Sequence, residues 1–342
     1  MSARGCDEVG IGAQYVADVT ELVASVLAAH GHEAGQYSVL GPDRWQVVWN
    51  PERTGFAAFL EGRHCLVQWR SPVAADEDQP EVMARLLNHA RSVGKTLFAL
   101  EVNEISCRAG VALGMRPIWM GCEAYLDLAT WSLEGGRRMK LRWGRGVAVR
   151  AGYHWREAFP LADAADRVSL ERLERIWKEE RPERFTDSFL RTSFMEMASL
   201  RRYVVCEGPD GVVASTTAMP VNGRGWYLQD LVRAPDAPRG ALEGAMILAL
   251  DTLRDEGFEF ASIGPLPFWH PEGQSEDMYR LGPIGNRIMR TFDQRFQFRN
   301  INMFRTKFKP DRVSSLYVLR SGRVIAPGAA RSLTRVLSHR VT

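Results

Sequence analysis

The sequence predicts an α/β protein made of two tandem domains, and two observations predict it. One series of elements (helix, antiparallel-type strands, then strand–helix–strand) occurs roughly twice along the 342 residues. That length also suits two domains of ~100–200 residues each, and a half of about 150 residues can hide roughly 70% of its unfolded surface. A composition of 45% hydrophobic and 25% charged residues is that of a globular chain and excludes fibrous or disordered classes.

Taken in order, residues 1–14 read as disordered. Thr20–His30 has apolar residues at helical spacing, with Thr20 as N-cap and Gly31 as stop. Strand-like runs follow at Trp45–Trp49, Gly55–Leu60 and His64–Trp69, the last two separated by the turn residues Glu61-Gly62-Arg63. Pro80–Val93 reads as a helix ended by Gly94, Thr96–Val102 as a buried strand, and Glu104–Leu113 as a helix closed by Gly114. Ile118–Leu128 gives one or two strands, and 135–150 a basic helix. The second series has helices at Asp163–Glu180 and Asp187–Ala198, then strands at Arg202–Glu207, Val212–Pro220 and Gly225–Val232. Ala241–Glu256 is the clearest helix, followed by strand Phe258–Ile263, a Gly/Pro-rich loop at 263–274, a helix near Arg287–Phe296 and a strand near Ser315–Arg320. The division is 1–34 tail and helix, 35–151 first domain, 152–325 second domain, and 326–342 a basic tail of helical character.

No apolar run approaches the ~18–20 residues a membrane span needs, and the first residues lack the apolar core of a signal peptide. A cytoplasmic protein without stable membrane insertion is the expectation. Cys6, Cys65, Cys107, Cys122 and Cys206 are odd in number and without CxxC spacing, which argues for reduced thiols. His64, His89, His154 and His270 lack metal-ligand spacing, so no metal is expected.

Net charge is only +3, but it is sorted. From Arg280 to Thr342 there are fourteen bases against two acids, Asp293 and Asp311, and the rest of the chain is net acidic. A second basic cluster, Arg137, Arg138, Lys140, Arg142, Arg145 and Arg150, contains no acid. Charge sorted this way fits a polyanionic partner, although solvated helix faces would look similar.

The segment Tyr227–Pro265 runs strand, Pro-containing turn, Arg-Gly, long helix, strand. That is the core layout of the acetyltransferase (GNAT) superfamily, so the fold class is α/β (α+β) with two tandem acetyltransferase-like domains. In that superfamily a Gln/Arg-x-x-Gly-x-Gly/Ala loop offers backbone N–H groups to the coenzyme A pyrophosphate. Here neither register works: Leu242 stands where Arg239 would require Gly, and Ala237 where Gly240 would require Gln or Arg. Glu243 adds negative charge where the helix dipole would favour phosphate. No cofactor is therefore expected.

The stretches DLVRAPDAPRGALEG, FEFASIGPLPF, FQFRNINMFRTKFKP and ATWSLEGGRRMKLRWGRGVAVRAGY resemble the catalytic domain of bacterial phosphatidylglycerol lysyl- and alanyltransferases, from about Trp45 to Tyr317. Family members usually carry membrane helices, and a soluble relative is the seryl-tRNA-dependent transferase of the valanimycin pathway. The resemblance implies a charged tRNA end entering the second domain and an acceptor reaching it through a tunnel. The family's Asp-Leu-Met-Arg stretch falls on Asp230 and Arg233. Its Arg-Phe-Lys-x-Lys-Phe stretch falls on Arg305 and Lys307, with Arg where Lys is commoner. Its Gly-Asp-Pro-Val stretch appears only as Arg70-Ser71-Pro72-Val73.

An aminoacyl ester is already activated, so the enzyme must hold it, present a nucleophile and neutralise an oxyanion. Asp230 is assigned to the α-ammonium, with general-base assistance as a second role, and Lys307 to phosphate or the oxyanion. Arg233, Arg305 and Arg239 suit phosphate contacts, and Glu243 and His270 could line the same site. Arg137, Arg138, Lys140, Arg142 and Arg145 would hold the tRNA acceptor stem through its backbone. Trp226, Tyr227, Phe268 and Trp269 could stack the unpaired tRNA end, or simply pack in the core.

The leading expectation is transfer of a small residue such as Ser, Ala or Gly from aminoacyl-tRNA to a small amine, hydroxylamine or hydroxyl acceptor. One alternative makes phosphatidylglycerol the acceptor, with the basic tail (Arg331, Arg335 and Arg340 beside Leu333 and Leu337) docked on anionic membrane. Others are an acyl-CoA N-acyltransferase and an RNA-binding module without activity.

Overall fold

The computed structural model describes residues 13–41, 45–180, 193–270, 298–322 and 327–338. In chain order the helices are α1 (Ala13–His30), α2 (Gln79–Ser92), α3 (Glu104–Ala112), α4 (Met139–Arg150), α5 (Ala164–Glu179), α6 (Ala241–Asp255), α7 (Phe298–Thr306) and α8 (Pro327–Ser338). The strands are β1 (Gln46–Trp49), β2 (Phe56–Glu61), β3 (Cys65–Trp69), β4 (Thr96–Val102), β5 (Arg116–Asp127), β6 (His154–Ala158), β7 (Arg202–Gly208), β8 (Gly211–Val221), β9 (Gly225–Arg233), β10 (Phe260–Pro267) and β11 (Arg312–Arg320).

These strands form one sheet in the order β1-β2-β3-β4-β11-β5-β10-β9-β8-β7-β6. Each half contains a parallel pair crossed over by a helix, β3–β4 through α2 and β9–β10 through α6. The same strand–helix–strand unit thus occurs once in each half, which is the repeat the sequence layout predicts. The halves are also knitted together: β11, from the end of the second series, lies between β4 and β5, and β5 lies between β11 and β10.

Alternation along each strand puts helices on both faces. In the first half Leu66 packs under α2 with Met83, Leu86 and Leu87, while Cys65 and Val67 pack under α8 with Ala329 and Val336. In the second half Val204 packs under α6 with Leu250 and Leu253, while Tyr203 and Val205 pack under α5 with Leu170 and Leu173. Asn103 caps α3 by accepting from Ser106 N at 2.8 Å, and Asp163 caps α5 by accepting from Ala165 N at 2.7 Å.

Most element bounds fall within a few residues of those the sequence predicts, but α1 begins at Ala13, so Thr20 lies inside the helix and is not its N-cap, and β10 runs on to Pro267 into the stretch expected to be a loop. Ile118–Leu128 becomes one twelve-residue strand, β5, and the basic helix begins only at Met139. Strand β6 and helix α7 have no counterpart among the predicted elements. Of the start expected to be disordered, residues 1–12 lie outside the described residues and 13–14 belong to α1. The helix expected near Arg287–Phe296 also lies outside them, as does the first half (187–192) of the stretch 187–198 expected to be helical, whereas 193–198 form bends and turns and no α-helix. The tail is helical as expected, but its apolar side is not free for a membrane: Leu333 joins Ala329 and Val336 against Leu60, Cys65, Val67 and Phe98. No helix among the described residues is long and apolar enough to cross a membrane.

Candidate active site between the two halves

Where β4, β11, β5 and β10 meet, the structure buries a charged network. Arg70, directly after β3, is 1% exposed; it donates from Nη1 to Glu123 Oε2 at 2.6 Å and reaches Glu101 Oε2 from Nη2 at 3.1 Å. Ser262 Oγ on β10 donates to the other oxygen of Glu123 at 2.6 Å and accepts from Gly264 N at 3.1 Å. Glu33, shortly after α1, accepts from Ser71 N at 3.1 Å. Arg305, in α7, donates to the Pro265 carbonyl, and Gly264 at φ 89° leaves room for its guanidinium, which a Cβ there would meet.

Backbone conformation marks the same place. Arg70 and Glu101 both sit at positive φ, 60° and 54°, at the ends of adjacent parallel strands. Such angles cost of order 1–3 kcal/mol in residues with a Cβ and persist where surrounding contacts over-determine them. The second half carries an echo. Arg70 stands five residues after Cys65 at the start of the β3–β4 ladder, and Asp230, at φ 34°, five after Gly225 at the start of the β9–β10 ladder.

The electrostatics follow from burial. Burial opposes charge on Arg70, yet Glu123 and Glu101 more than offset it and hold its pKa above the ordinary value. Burial raises Glu33 and Glu101 above the usual carboxylate range, with Arg70 opposing in both. Burial pushes the Tyr227 hydroxyl up to about 12, so it stays a hydrogen-bond donor at neutral pH. Arg305 is lowered, by burial first, with Tyr227, Glu123 and Glu101 opposing. Glu101 is enclosed by these groups yet 26% of its side chain is water-accessible, which makes it the wettest carboxylate of the network.

Several residues singled out from sequence stand elsewhere, or are committed. Asp230 is not an open carboxylate at a strand end. It lies at a bulge inside β9, where it pairs with Arg201 and accepts from Thr217 Oγ1 at 2.8 Å. Lys307 and Glu243 face each other at 2.9 Å, so neither offers a bare charge. Arg305 is enclosed in the network and not placed for a surface phosphate. Arg233 is exposed at the end of β9, and Arg239 is exposed and lies 4.3 Å over the Trp143 ring.

The basic cluster divides. Arg138 is buried, donates to the carbonyls of Phe308 and Ser132 at 2.9 and 3.0 Å and stacks on Trp131, so it cannot face tRNA. Arg137 pairs with Asp311 at 2.9 Å, and Arg142 donates to the Leu133 carbonyl. Lys140 and Arg150 are exposed, and Arg145 lies over the Trp155 ring. Of the aromatics named, Phe268 is buried, and Trp226 and Trp269 pack against the core; only Tyr227 belongs to the network. His270 stacks on Trp119 with ring centres 4.0 Å apart.

At the start of α6, where a coenzyme A pyrophosphate would approach, the backbone is covered. Gly240 packs against the Gly144 carbonyl of α4, and Trp155 Nε1 donates to the Ala241 carbonyl at 2.7 Å while its ring fills the space beside Gly244.

Sequence reasoning missed Glu33, Glu101, Glu123 and Ser262. Its one signal was Arg70-Ser71-Pro72-Val73, a departure from the family's pattern. The two positive-φ residues at the ends of the parallel strands had no local sequence signature.

The family model for phosphatidylglycerol lysyltransferase, C-terminal, matches residues 26–320. The phosphatidylglycerol lysyltransferase of Bacillus subtilis is 24% identical over 299 residues, covering 86% of this chain and 34% of that protein. The chain thus spans about a third of that relative's length. Among solved structures, the C-terminal domain of an assigned lysylphosphatidylglycerol synthetase from Agrobacterium fabrum has a TM-score of 0.77 at 19% identity, covering 95% of this chain and 98% of that one. L-PGS from Bacillus licheniformis has a TM-score of 0.72 at 18% identity, covering 94% and 97%. With both halves, the exchanged strands and the buried network in place, the chain belongs to the phosphatidylglycerol lysyltransferase C-terminal family.

Proposed function

We propose that this chain is an acyltransferase domain that moves an aminoacyl group from aminoacyl-tRNA to the glycerol hydroxyl of phosphatidylglycerol. The observation that carries this reading is the family match over residues 26–320, together with a buried charged network at the seam of the two halves. This replaces the small-molecule acceptor as the leading reading, because the relatives that match are named for a lipid acceptor. The covered start of α6 disfavours an acyl-CoA donor.

In the proposed reaction the acceptor hydroxyl oxygen attacks the ester carbonyl. A new ester bond forms, the bond to the tRNA ribose oxygen breaks, and the hydroxyl proton ends on that ribose oxygen. Tyr227 is the donor we assign to the developing oxyanion: its hydroxyl is protonated at neutral pH and it adjoins the network. A donor in such a place contributes about 3–4 kcal/mol to the barrier reduction. Arg305 supplies fixed positive charge beside it. The first half (35–151) would serve the acceptor and the second (152–325) the tRNA end, with Arg233, Lys140 and Arg145 contacting phosphates.

The test is a panel of singly charged, radiolabelled tRNAs offered with phosphatidylglycerol vesicles or with water-soluble amines and alcohols. Label extracted with the lipid supports the proposal. Label appearing only on soluble acceptors restores the small-acceptor reading, and vesicles that change nothing sink the lipid one.

A further inference from the structure

Among the described residues the seam network holds more carboxyl groups than guanidiniums. There are three carboxyl groups, Glu33, Glu101 and Glu123, against two guanidiniums, Arg70 and Arg305. Arg70 reaches both Glu101 and Glu123, and Ser262 satisfies the second oxygen of Glu123. Arg305 spends a donor on the Pro265 carbonyl, and its Nε has no partner among the described residues. A buried oxygen of Glu33, Oε1, likewise has no hydrogen-bond partner among the described residues. Leaving polar atoms unsatisfied at such depth is costly, and sites that do so are commonly completed by a ligand. Of the three carboxyls, Glu33 and Glu123 are buried and only Glu101 is open to water.

We propose that Glu101 is a specificity residue that binds an ammonium group of the transferred amino acid at the seam, where carboxyl groups outnumber guanidiniums among the described residues. This rests on the aminoacyl-transfer reading and relocates the ammonium contact from Asp230, whose carboxylate is committed to Arg201 and Thr217. Two ammonium groups share the required chemistry: the α-ammonium of any aminoacyl ester and the side-chain ammonium of a basic one. In both cases the cation meets a carboxylate already held by Arg70, so its position is fixed before binding. Glu101 sits at positive φ at the end of β4, which aims this carboxylate independently of its neighbours along the strand.

The experiment is calorimetric titration of the purified chain with L-alaninamide, L-lysinamide, 6-aminohexanamide and the amine-free propionamide. The expected result is binding of the amines, none of propionamide, and at least a tenfold weakening in Glu101→Gln that Glu101→Asp partly restores. Equal binding of the two amino-acid amides assigns the α-ammonium; binding of only lysinamide and 6-aminohexanamide assigns the side-chain ammonium. Should Glu101→Gln fail to fold, the wild-type preference for amines over propionamide still decides. The inference is overturned if no amine binds, if propionamide binds as well as the amines, or if Glu101→Gln binds them unchanged. Its failure is separable from that of the transfer reading: transfer by Glu101→Gln at an unchanged KM for aminoacyl-tRNA sinks only the ammonium site. Amine binding in a chain that transfers from no charged tRNA sinks only the transfer reading.

Discussion

Two buried charges carry different kinds of information. Asp230 and Arg201 each have about 3% of their side chains exposed and are paired, so removing one leaves the other buried and uncompensated. Breaking such pairs typically costs 3–5 kcal/mol, so Asp230→Ala is expected to lose roughly that much in a denaturant melt. Thr217→Val, which removes only a hydrogen bond to the same carboxylate, should lose about 1 kcal/mol. If Asp230→Ala melts like the wild type, the pairing is not structural. Glu33 works in the opposite sense. Its folded pKa is raised by burial, so the native state binds the proton more tightly than the unfolded chain. Stability contributed by that proton is present at low pH and is lost as pH rises through the folded pKa. Glu33→Gln is therefore expected to be more stable than wild type at neutral pH, with the gap closing as pH falls into the ordinary carboxylate range. Chemical melts of both proteins at several pH values check this; a gap that widens on acidification contradicts it.

At the scale of elements, the contact of α4 with the start of α6 covers the backbone that a pyrophosphate would have to approach. Gly240 has φ 91° and faces the Gly144 carbonyl, so Gly240→Ala meets both a strained backbone and a clash. The expected cost is about 1–3 kcal/mol, read from thermal unfolding, and an unchanged midpoint would mean that α4 yields freely. The outward side of α4 is the face for which tRNA contact is proposed. Charge reversal at the exposed Lys140 and Arg150 should weaken tRNA binding and flatten the slope of log K against log salt by roughly one for each phosphate no longer neutralised. An unchanged slope would leave α4 outside the RNA contact. Most elements were legible in the sequence because helical and alternating periodicity are local: Ala241–Asp255 and Thr96–Val102 fall almost where the pattern puts them. The insertion of β11 between β4 and β5 was not legible, since strands so far apart in sequence pair without leaving a local trace. Nor was the site: Glu101 and Glu123 sit on strands that otherwise read as buried and apolar, and only the fold brings them to Arg70.

For the whole molecule, the exchange of β5 and β11 makes the seam a shared interior, so ions there are held by both halves at once. Network residues from the α1 end, β4, β5, β10 and α7 therefore share a common fate: disturbance in either half reaches the same seam. The family to which the chain belongs sets the chemistry proposed there, a transfer between an activated ester and a lipid hydroxyl. The most direct test follows labelled aminoacyl-tRNA mixed with the purified chain and phosphatidylglycerol vesicles. Label is expected to leave the tRNA faster than by spontaneous hydrolysis and to accumulate in the organic phase, and Tyr227→Phe should slow this by roughly a hundredfold or more. If, for every charged tRNA tried, the ester decays at its buffer rate and the organic phase stays empty, the proposed transfer is contradicted.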